Sequence, residues 1–271
     1  MVLGIAEPVQ DEKRGLETRL AARTGRLSTH TCGAAPNALQ GNLVIVPQAF
    51  ADDFADYCAL NPKPCPLLAK SEPGDPALPV LGEDIDIRMD LPGYRVWRDG
   101  MLSAEVADVR DVWRSDFVSF VIGCSFSFEA ALMAAGIRLR HIALGRNVPM
   151  FVTNRETEPA GPFRGKMVVS MRPIAAEDVA RAVDITRAVP NAHGAPVDIG
   201  SPEAIGITDI AAPDFGDAID VRADETPVFW ACGVTPQVAL QNAKLPIAIT
   251  HRPGSMLVTD RPLDWAPSQH G

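Results

Sequence analysis

The chain of 271 residues lacks the features of a membrane protein or a nucleic-acid-binding protein. No apolar run approaches the ~18 residues that a membrane-spanning helix needs. The opening segment, MVLGIAEPVQDEKR, carries too short an apolar stretch for a signal peptide. No basic run exists and the formal net charge is -9, whereas a nucleic-acid surface needs clustered Lys and Arg. We therefore expect neither a membrane nor a nucleic acid as a partner.

Cysteine is scarce as well. The five cysteines are an odd number and lack the regular spacing of a disulfide framework. Without an export signal, this pattern favours reduced thiols and a cytoplasmic location. Metal-ligand spacings such as C-x2-C are missing around His30, Cys32, Cys58 and Cys65, so no metal site is expected.

Signatures of common cofactors and catalytic centres are also missing. The sequence contains no Walker loop, no G-x-G-x-x-G after a strand, no G-x-S-x-G and no H-E-x-x-H. This absence favours chemistry without a cofactor.

What the sequence does contain is one pattern that occurs twice. FVIGCSFSFEAALMAAG at residues 120–136 and VFWACGVTPQVALQNAK at residues 228–244 align on Cys124 and Cys232. MFVTNR and MLVTDR then follow at similar distances from the two cysteines. Each copy has the pattern of a strand, a cysteine, a helix and a second strand. The sequence therefore predicts an internal pseudo-repeat.

The position of the two thiols suggests chemistry. Each follows an apolar strand and precedes a predicted helix, with Ser127 or Thr235 as the expected N-cap. A helix N-terminus lowers the pKa of a nearby thiol and binds carboxylates, because its N–H groups are free. If the copies pack with twofold pseudo-symmetry, both thiols face one pocket. The alternative is that each cysteine is a small buried residue of the core.

The remaining pattern predicts an α/β fold. We expect a main three-layer α/β domain from residues 1–155 and 226–271, which contains the pseudo-repeat, and a smaller inserted α+β subdomain over 156–225. Strands near 205–210 and 218–222 are expected within the insertion. Ligands of such sheets bind outside the carboxyl ends of the strands, where both cysteines lie.

Polar residues in loops complete the candidate site. His193, in NAHGAPVD, is the candidate acid or base, and a surface histidine is the alternative. Residues expected to bind substrate flank the thiols, follow the repeated strands or offer a guanidinium to a carboxylate. They are Ser125, Ser127, Gly233, Asn154, Arg95, Arg172, Thr259 and Asp260. Turn capping and surface ion pairing are the alternatives for these side chains.

Several segments together resemble a known family. GCSFSFEAAL, NVPMFVTN, AGPFRGKMVVSMRPI, NAHGAPVDIG and PVFWACGVTPQVAL are similar to a bacterial hydro-lyase family, which itself resembles a domain of mitochondrial D-glutamate cyclase. The resemblance implies a two-part α/β fold. It also implies dehydration of D-glutamate to 5-oxo-D-proline, in which the amine attacks the side-chain carboxyl. The family often has histidine where this chain has Asp198 and Ser255.

The sequence and the resemblance together predict a hydro-lyase, a carbon-oxygen lyase acting on a small amino or hydroxy carboxylic acid. In this hypothesis Cys124 and Cys232 are proton carriers or a nucleophile, and His193 moves the proton that leaves with water. Helix-terminal N–H groups stabilise the developing oxyanion. A two-cysteine racemase or epimerase and a non-catalytic carboxylate-binding protein are the alternatives. A homo-oligomer is left open.

Overall fold

A computed structural model describes residues 9–267, which contain six α-helices and eleven strands in two antiparallel sheets. The helices are α1 (Val9–Arg23), α2 (Ala51–Leu60), α3 (Phe126–Ala134), α4 (Arg140–Ala143), α5 (Val179–Arg187) and α6 (Thr235–Ala243). No helix among the described residues is long and apolar enough to cross a membrane.

The larger sheet has seven strands. They are β1 (Ala38–Pro47), β2 (Leu67–Lys70), β3 (Tyr94–Arg98), β4 (Met101–Val106), β5 (Phe117–Gly123), β10 (Ala248–His251) and β11 (Leu257–Pro262). The order is β2-β5-β1-β10-β3-β4, and β11 also pairs with β1. Because every residue of β1 and β5 is buried, these strands have continuous apolar runs rather than alternation.

The larger sheet is covered on both faces. Consecutive β1 side chains enter opposite clusters, as the pleat requires: Leu43 packs on one side and Val44 on the other. Helices α2 and α6 cover the Val44 face. The Leu43 face is covered mainly by a segment without helices or strands, through Leu78, Leu81 and neighbouring apolar residues. Cover on both faces is thus present, but one covering layer is irregular chain.

The smaller sheet has the order β6-β7-β9-β8. Its strands are β6 (Met150–Glu156), β7 (Lys166–Ala175), β8 (Asp198–Ile199) and β9 (Glu225–Ala231). Helices α3 and α5 pack on one face, against Ile174 and Trp230. The predicted α/β class is confirmed by these mixed layers.

Sheet membership differs from the expected arrangement. Strands β6 and β9, which flank the predicted insertion, pair with β7 inside it rather than with the larger sheet. The division into domains at 155/156 and 225/226 stays a prediction. The strands expected near 205–210 and 218–222 are wrong, because the chain there forms a 3-10 helix at Pro202–Ile205 followed by turns and bends.

Two groups of three strands have the same register. Gly41 of β1 pairs with Gly123 and with Leu257, while Val169 of β7 pairs with Ala231 and with Phe151. These partners occupy matching positions in the two copies of the sequence pattern. The contacts of the two copies therefore correspond, whereas a common origin by duplication stays a prediction.

The expected helix caps are wrong. Helix α3 begins at Phe126 and α6 at Thr235, and neither N-cap residue makes a side-chain cap hydrogen bond. Instead, Ser127 Oγ accepts a hydrogen bond from the backbone N–H of Gln40 at 2.9 Å. Thr235 Oγ1 accepts one from Val168 N–H at 3.0 Å. Each hydroxyl joins its helix to a neighbour of the strand that precedes the helix: α3 to β1, which pairs with β5, and α6 to β7, which pairs with β9.

We expect Ser127→Ala and Thr235→Val each to lower the free energy of unfolding by about 1–2 kcal/mol, because each leaves a buried N–H without an acceptor. Urea denaturation measures this effect. Thr24→Val is the control: its hydroxyl bonds an exposed helix end, so a change below ~0.5 kcal/mol is expected. Equal losses in all three variants would contradict the assigned role of the two hydroxyls.

Candidate functional site

The two repeated cysteines lie in one buried cluster. Cys124 and Cys232 are 6% and 7% exposed, and both pack with Met150, Val168 and Met256. The carboxyl ends of β5 and β9 bring them together from different sheets. The prediction that both thiols face one substrate pocket is compatible with this arrangement and stays a prediction.

The helix termini lower the pKa of these thiols, as predicted, but burial has the larger effect. Burial raises the pKa of Cys232 to about 11 and that of Cys124 well above the ordinary thiol value. The backbone N–H groups of Phe126 and Val234 act in the opposite direction but are the weaker influence. Both thiols are therefore protonated at neutral pH, because desolvation outweighs the helix N-terminus.

A buried ion pair lies beside the thiols. Glu129 of α3 accepts hydrogen bonds at Oε1 from Arg172 of β7, with Nη2 at 2.6 Å and Nε at 3.0 Å. His141 Nε2 lies 2.8 Å from the same oxygen. Burial alone would raise the pKa of Glu129, but Arg172 and His141 together hold it below its usual value. Glu129 is thus an ionised carboxylate in an interior position.

Arg172 connects this ion pair to the first thiol loop, the turn at Cys124 and Ser125. The second thiol loop is the corresponding turn at Cys232 and Gly233. Arg172 Nη2 also donates to Ser125 Oγ and its Nη1 to Ser170 Oγ, each at 3.0 Å. Its guanidinium lies 4.9 Å from the ring centroid of Phe128 and 5.5 Å from that of Trp230. The guanidinium is fully buried, so these contacts fix a positive charge next to Cys124.

A third thiol reaches the same carboxylate. Cys32 Sγ lies 3.6 Å from Glu129 Oε2, the oxygen that Arg172 leaves free. Burial, and then the charge of Glu129, raises the pKa of Cys32 well above its usual value. Cys32, Glu129 and His141 were not predicted from sequence as members of one site. The only signal was that Glu129 occupies a repeated position, where the other copy has Gln237.

His193 is buried rather than on the surface. It has a left-handed backbone (φ 74°), and its Nδ1 lies 3.0 Å from the carbonyl oxygen of Lys63. Burial lowers its pKa to about 4, although the backbones of Lys63 and Gly123 partly offset this. Among the described residues, no hydrogen-bond partner meets its Nε2. The turn that carries His193 contacts Gly123, where an added Cβ would lie 1.6 Å from Asn191 O.

Gly233 and Ser125 occupy matching places and contact matching strands. A Cβ at Gly233 would lie 2.0 Å from Asn42 Nδ2, and this amide donates to Gly123 O at 2.8 Å. Ser125 Oγ lies 3.4 Å from Ser170 Oγ. A small residue at position 233 is thus required by the buried amide of Asn42.

Four other predicted residues make their contacts elsewhere. Arg95 pairs with Glu105, Asp260 with Arg19, and Thr259 donates to the carbonyl of Leu39. Asn154 is exposed on β6. Within residues 9–267, none of the hydrogen bonds of these four side chains reaches the thiol cluster. A role in substrate binding stays a prediction for each.

Asp198 and Ser255, where the resemblance implies histidine, have ordinary polar partners. Asp198 Oδ2 accepts a hydrogen bond from Arg155 Nη2 at 2.9 Å. Ser255 is buried, and its hydroxyl donates to the carbonyl of Thr29 at 3.2 Å. The side chains at both positions are thus hydrogen-bonded without histidine.

We expect Glu129→Gln to lower the free energy of unfolding by about 3–5 kcal/mol, because it leaves the buried charge of Arg172 unpaired. Adding Arg172→Met should recover part of the loss. Asp184→Asn is the control, because the Asp184–Arg187 pair is exposed and a change below ~0.5 kcal/mol is expected. A similar small change in Glu129→Gln would show that the interior pair is not coupled to folding.

We expect acid to destabilise the protein partly through His193. Its folded pKa of about 4 lies below the ordinary value of 6.5, so between these pH values the unfolded state binds a proton that the folded state does not. As the pH is lowered from 6.5 to about 4, the free energy of unfolding should fall by up to about 3 kcal/mol through this site. His193→Asn keeps a residue that tolerates φ > 0 and should flatten this slope. An unchanged slope in chemical denaturation from pH 7 to pH 4 would contradict the expectation.

Sequence comparison places the chain in a family. The family model described as D-glutamate cyclase matches residues 118–260, which include both thiol loops and Arg172. A protein named "Putative hydro-lyase" from Verminephrobacter eiseniae is 61% identical over 244 residues, covering 90% of this chain and 89% of the relative. A similarly named protein from Bordetella petrii is 59% identical over 242 residues, covering 89% and 92%.

One solved structure also aligns with the chain. A nitrogen repressor-like protein from Methanococcus jannaschii covers 92% of this chain and 99% of its own, with a TM-score of 0.38 and 10% identity, too low for any argument. The sequence relatives decide the assignment. The chain belongs to the D-glutamate cyclase family and is a lyase.

Proposed function

We propose that the protein is a hydro-lyase that removes water from a small amino or hydroxy carboxylic acid in the cytoplasm, with D-glutamate as the first candidate. The family and the names of its relatives support the class of reaction. The observation that carries the proposal is the buried cation of Arg172, held through Ser125 beside two buried thiols. In the proposal the guanidinium, although it is paired with Glu129, and the neutral thiols donate hydrogen bonds to a carboxylate substrate.

The proposed reaction joins the amine of D-glutamate to its own side-chain carboxyl. A carbon-nitrogen bond forms and a carbon-oxygen bond breaks. The ammonium group loses two protons, and the departing oxygen leaves as water after gaining two. The products are 5-oxo-D-proline and one water molecule. The protein must therefore accept protons from nitrogen and supply protons to oxygen.

The ionisation states suggest how these roles are divided. The raised pKa of both thiols favours Cys124 and Cys232 as hydrogen-bond and proton donors rather than as a thiolate nucleophile. The lowered pKa of His193 keeps its ring neutral, and in the proposal the ring accepts a proton from nitrogen as a weak base. Arg172 Nη1 has a second N–H beyond the one that Ser170 accepts, and in the proposal it orients the substrate carboxylate.

We expect purified protein to convert D-glutamate, and not L-glutamate, to 5-oxoproline, which NMR detects. Cys124→Ser and Cys232→Ser should each lower kcat by about 100-fold, the usual size of a lost proton-transfer group. Cys58→Ser is the control. Cys58 lies in α2 and packs in a different cluster, so this variant should keep full activity. Full turnover in both repeated-cysteine variants would remove the thiols from the mechanism.

A racemase or epimerase is the second candidate, and the shared cluster of two thiols from different sheets favours it. Two-base proton exchange at Cα needs one donor on each side of the carbon. In D2O, this activity would introduce deuterium at Cα without forming a ring. The cyclase proposal expects ring formation without that exchange, so one NMR experiment separates the two activities.

A further inference from the structure

Three potential metal ligands converge beside the proposed catalytic thiols. One ligand atom each from Cys32, Glu129 and His141 lies within 4.8 Å of the other two. Cys32 precedes β1, Glu129 lies in α3 and His141 lies in α4, so three separate segments supply them. Glu129 and His141 are buried and Cys32 is partly exposed. The cluster therefore has a polar interior and one more accessible side.

We propose that these three side chains bind one divalent transition-metal ion of the zinc class and leave a fourth coordination position open. A thiolate, an imidazole and a carboxylate form a donor set that suits zinc and excludes magnesium or calcium, which take oxygen ligands. Three protein ligands with one open position is the pattern of catalytic zinc sites. Structural zinc sites, by contrast, have four protein ligands.

The distances fit such an ion with a small adjustment. Zinc bonds of 2.0–2.3 Å at tetrahedral angles place neighbouring ligand atoms about 3.3–3.5 Å apart. The 3.6 Å between Cys32 Sγ and Glu129 Oε2 is close to this spacing. An ion bound at Oε2 would take the place of the hydrogen bond between His141 Nε2 and Glu129 Oε1, which is 2.8 Å long.

Arg172 fixes the carboxylate of this site. Its Nε and Nη2 donate to Glu129 Oε1 and leave Oε2 facing Cys32. Carboxylate ligands of metal sites are commonly held by such outer hydrogen bonds. A divalent ion with the Cys32 thiolate and the Glu129 carboxylate is neutral, and Arg172 then adds one positive charge. Together they form an interior site that favours an anion at the open position.

The inference deepens the proposed function, and this one step depends on it: the open position would accept a carboxyl oxygen of the substrate. Binding of the ion itself does not depend on the reaction. The sequence expectation of chemistry without metal came from ligand spacing, and positions 32, 129 and 141 form no such spacing. Cys58 and Cys65, considered with Cys32 from sequence, pack in a different cluster.

The test is a titration of chelator-treated full-length protein with Co²⁺, followed by optical absorption, and with Zn²⁺, followed by equilibrium dialysis. We expect one equivalent of either ion to bind, with a near-ultraviolet thiolate-to-cobalt band. Cys32→Ser should abolish the band and weaken binding at least ~10-fold. Cys124→Ser, which removes a neighbouring thiol outside the ligand set, should keep both the band and the affinity.

Two results would overturn the site: no binding at equimolar ion, or an unchanged cobalt band in Cys32→Ser. His141→Gln gives a second measurement that leaves the thiol in place. It should retain the band and weaken binding, and unchanged affinity in this variant would also contradict the ligand set. Turnover of D-glutamate by protein that binds no metal would refute the metal site but support the lyase. Stoichiometric binding without turnover would support the site and count against the proposed reaction.

Discussion

The buried ion pair between Arg172 and Glu129 is the constraint on which the arrangement of the site depends. It joins α3, which follows β5 of the larger sheet, to β7, an internal strand of the smaller one. Burying a guanidinium costs free energy unless its charge is paired and its N–H groups are hydrogen-bonded. Here a carboxylate and two serine hydroxyls accept its hydrogen bonds, and two aromatic rings lie against it. Because these partners come from both sides of the junction, the charge also fixes how the first thiol loop meets the second sheet.

Burial explains why the groups at this junction depart from their ordinary ionisation. The same burial keeps the thiols protonated, keeps His193 neutral and makes the charge of Glu129 depend on Arg172. The helix termini do reach both sulfurs, as the sequence predicted. Their partial charges are too small to offset the loss of water. The junction therefore combines neutral donors with one buried ion pair, Arg172 with Glu129.

The sequence predicted what lies along the chain better than what lies across it. The strand, cysteine and helix of each repeated pattern, β5 with α3 and β9 with α6, follow from local pattern. The pairing of strands does not follow from local pattern, because the sequence of an apolar strand such as β9 does not indicate which sheet the strand joins. The tertiary packing of α3, α4 and the segment before β1 brings together Glu129, His141 and Cys32. Their spacing in the sequence therefore does not predict the cluster. Arg172 was predicted for its chemistry, while Arg95, of the same residue type, pairs with Glu105 instead.

The two corresponding halves differ most where the charge lies, and the difference is physically consistent. The register that matches Gly41 with Val169 also matches Val44 with Arg172, and the repeated pattern matches Gln237 with Glu129. One half therefore has an acid and a base at these positions, and the other has an amide and an apolar side chain. Losing only one member of the pair would leave an unpaired buried charge and lower the free energy of unfolding by about 3–5 kcal/mol. Losing both costs far less, since Gln237 donates to the carbonyl of His251 at 3.0 Å and Val44 packs in the core. The fold thus tolerates a charged junction in one half and a neutral junction in the other, and this confines the buried ion pair to the side of Cys124.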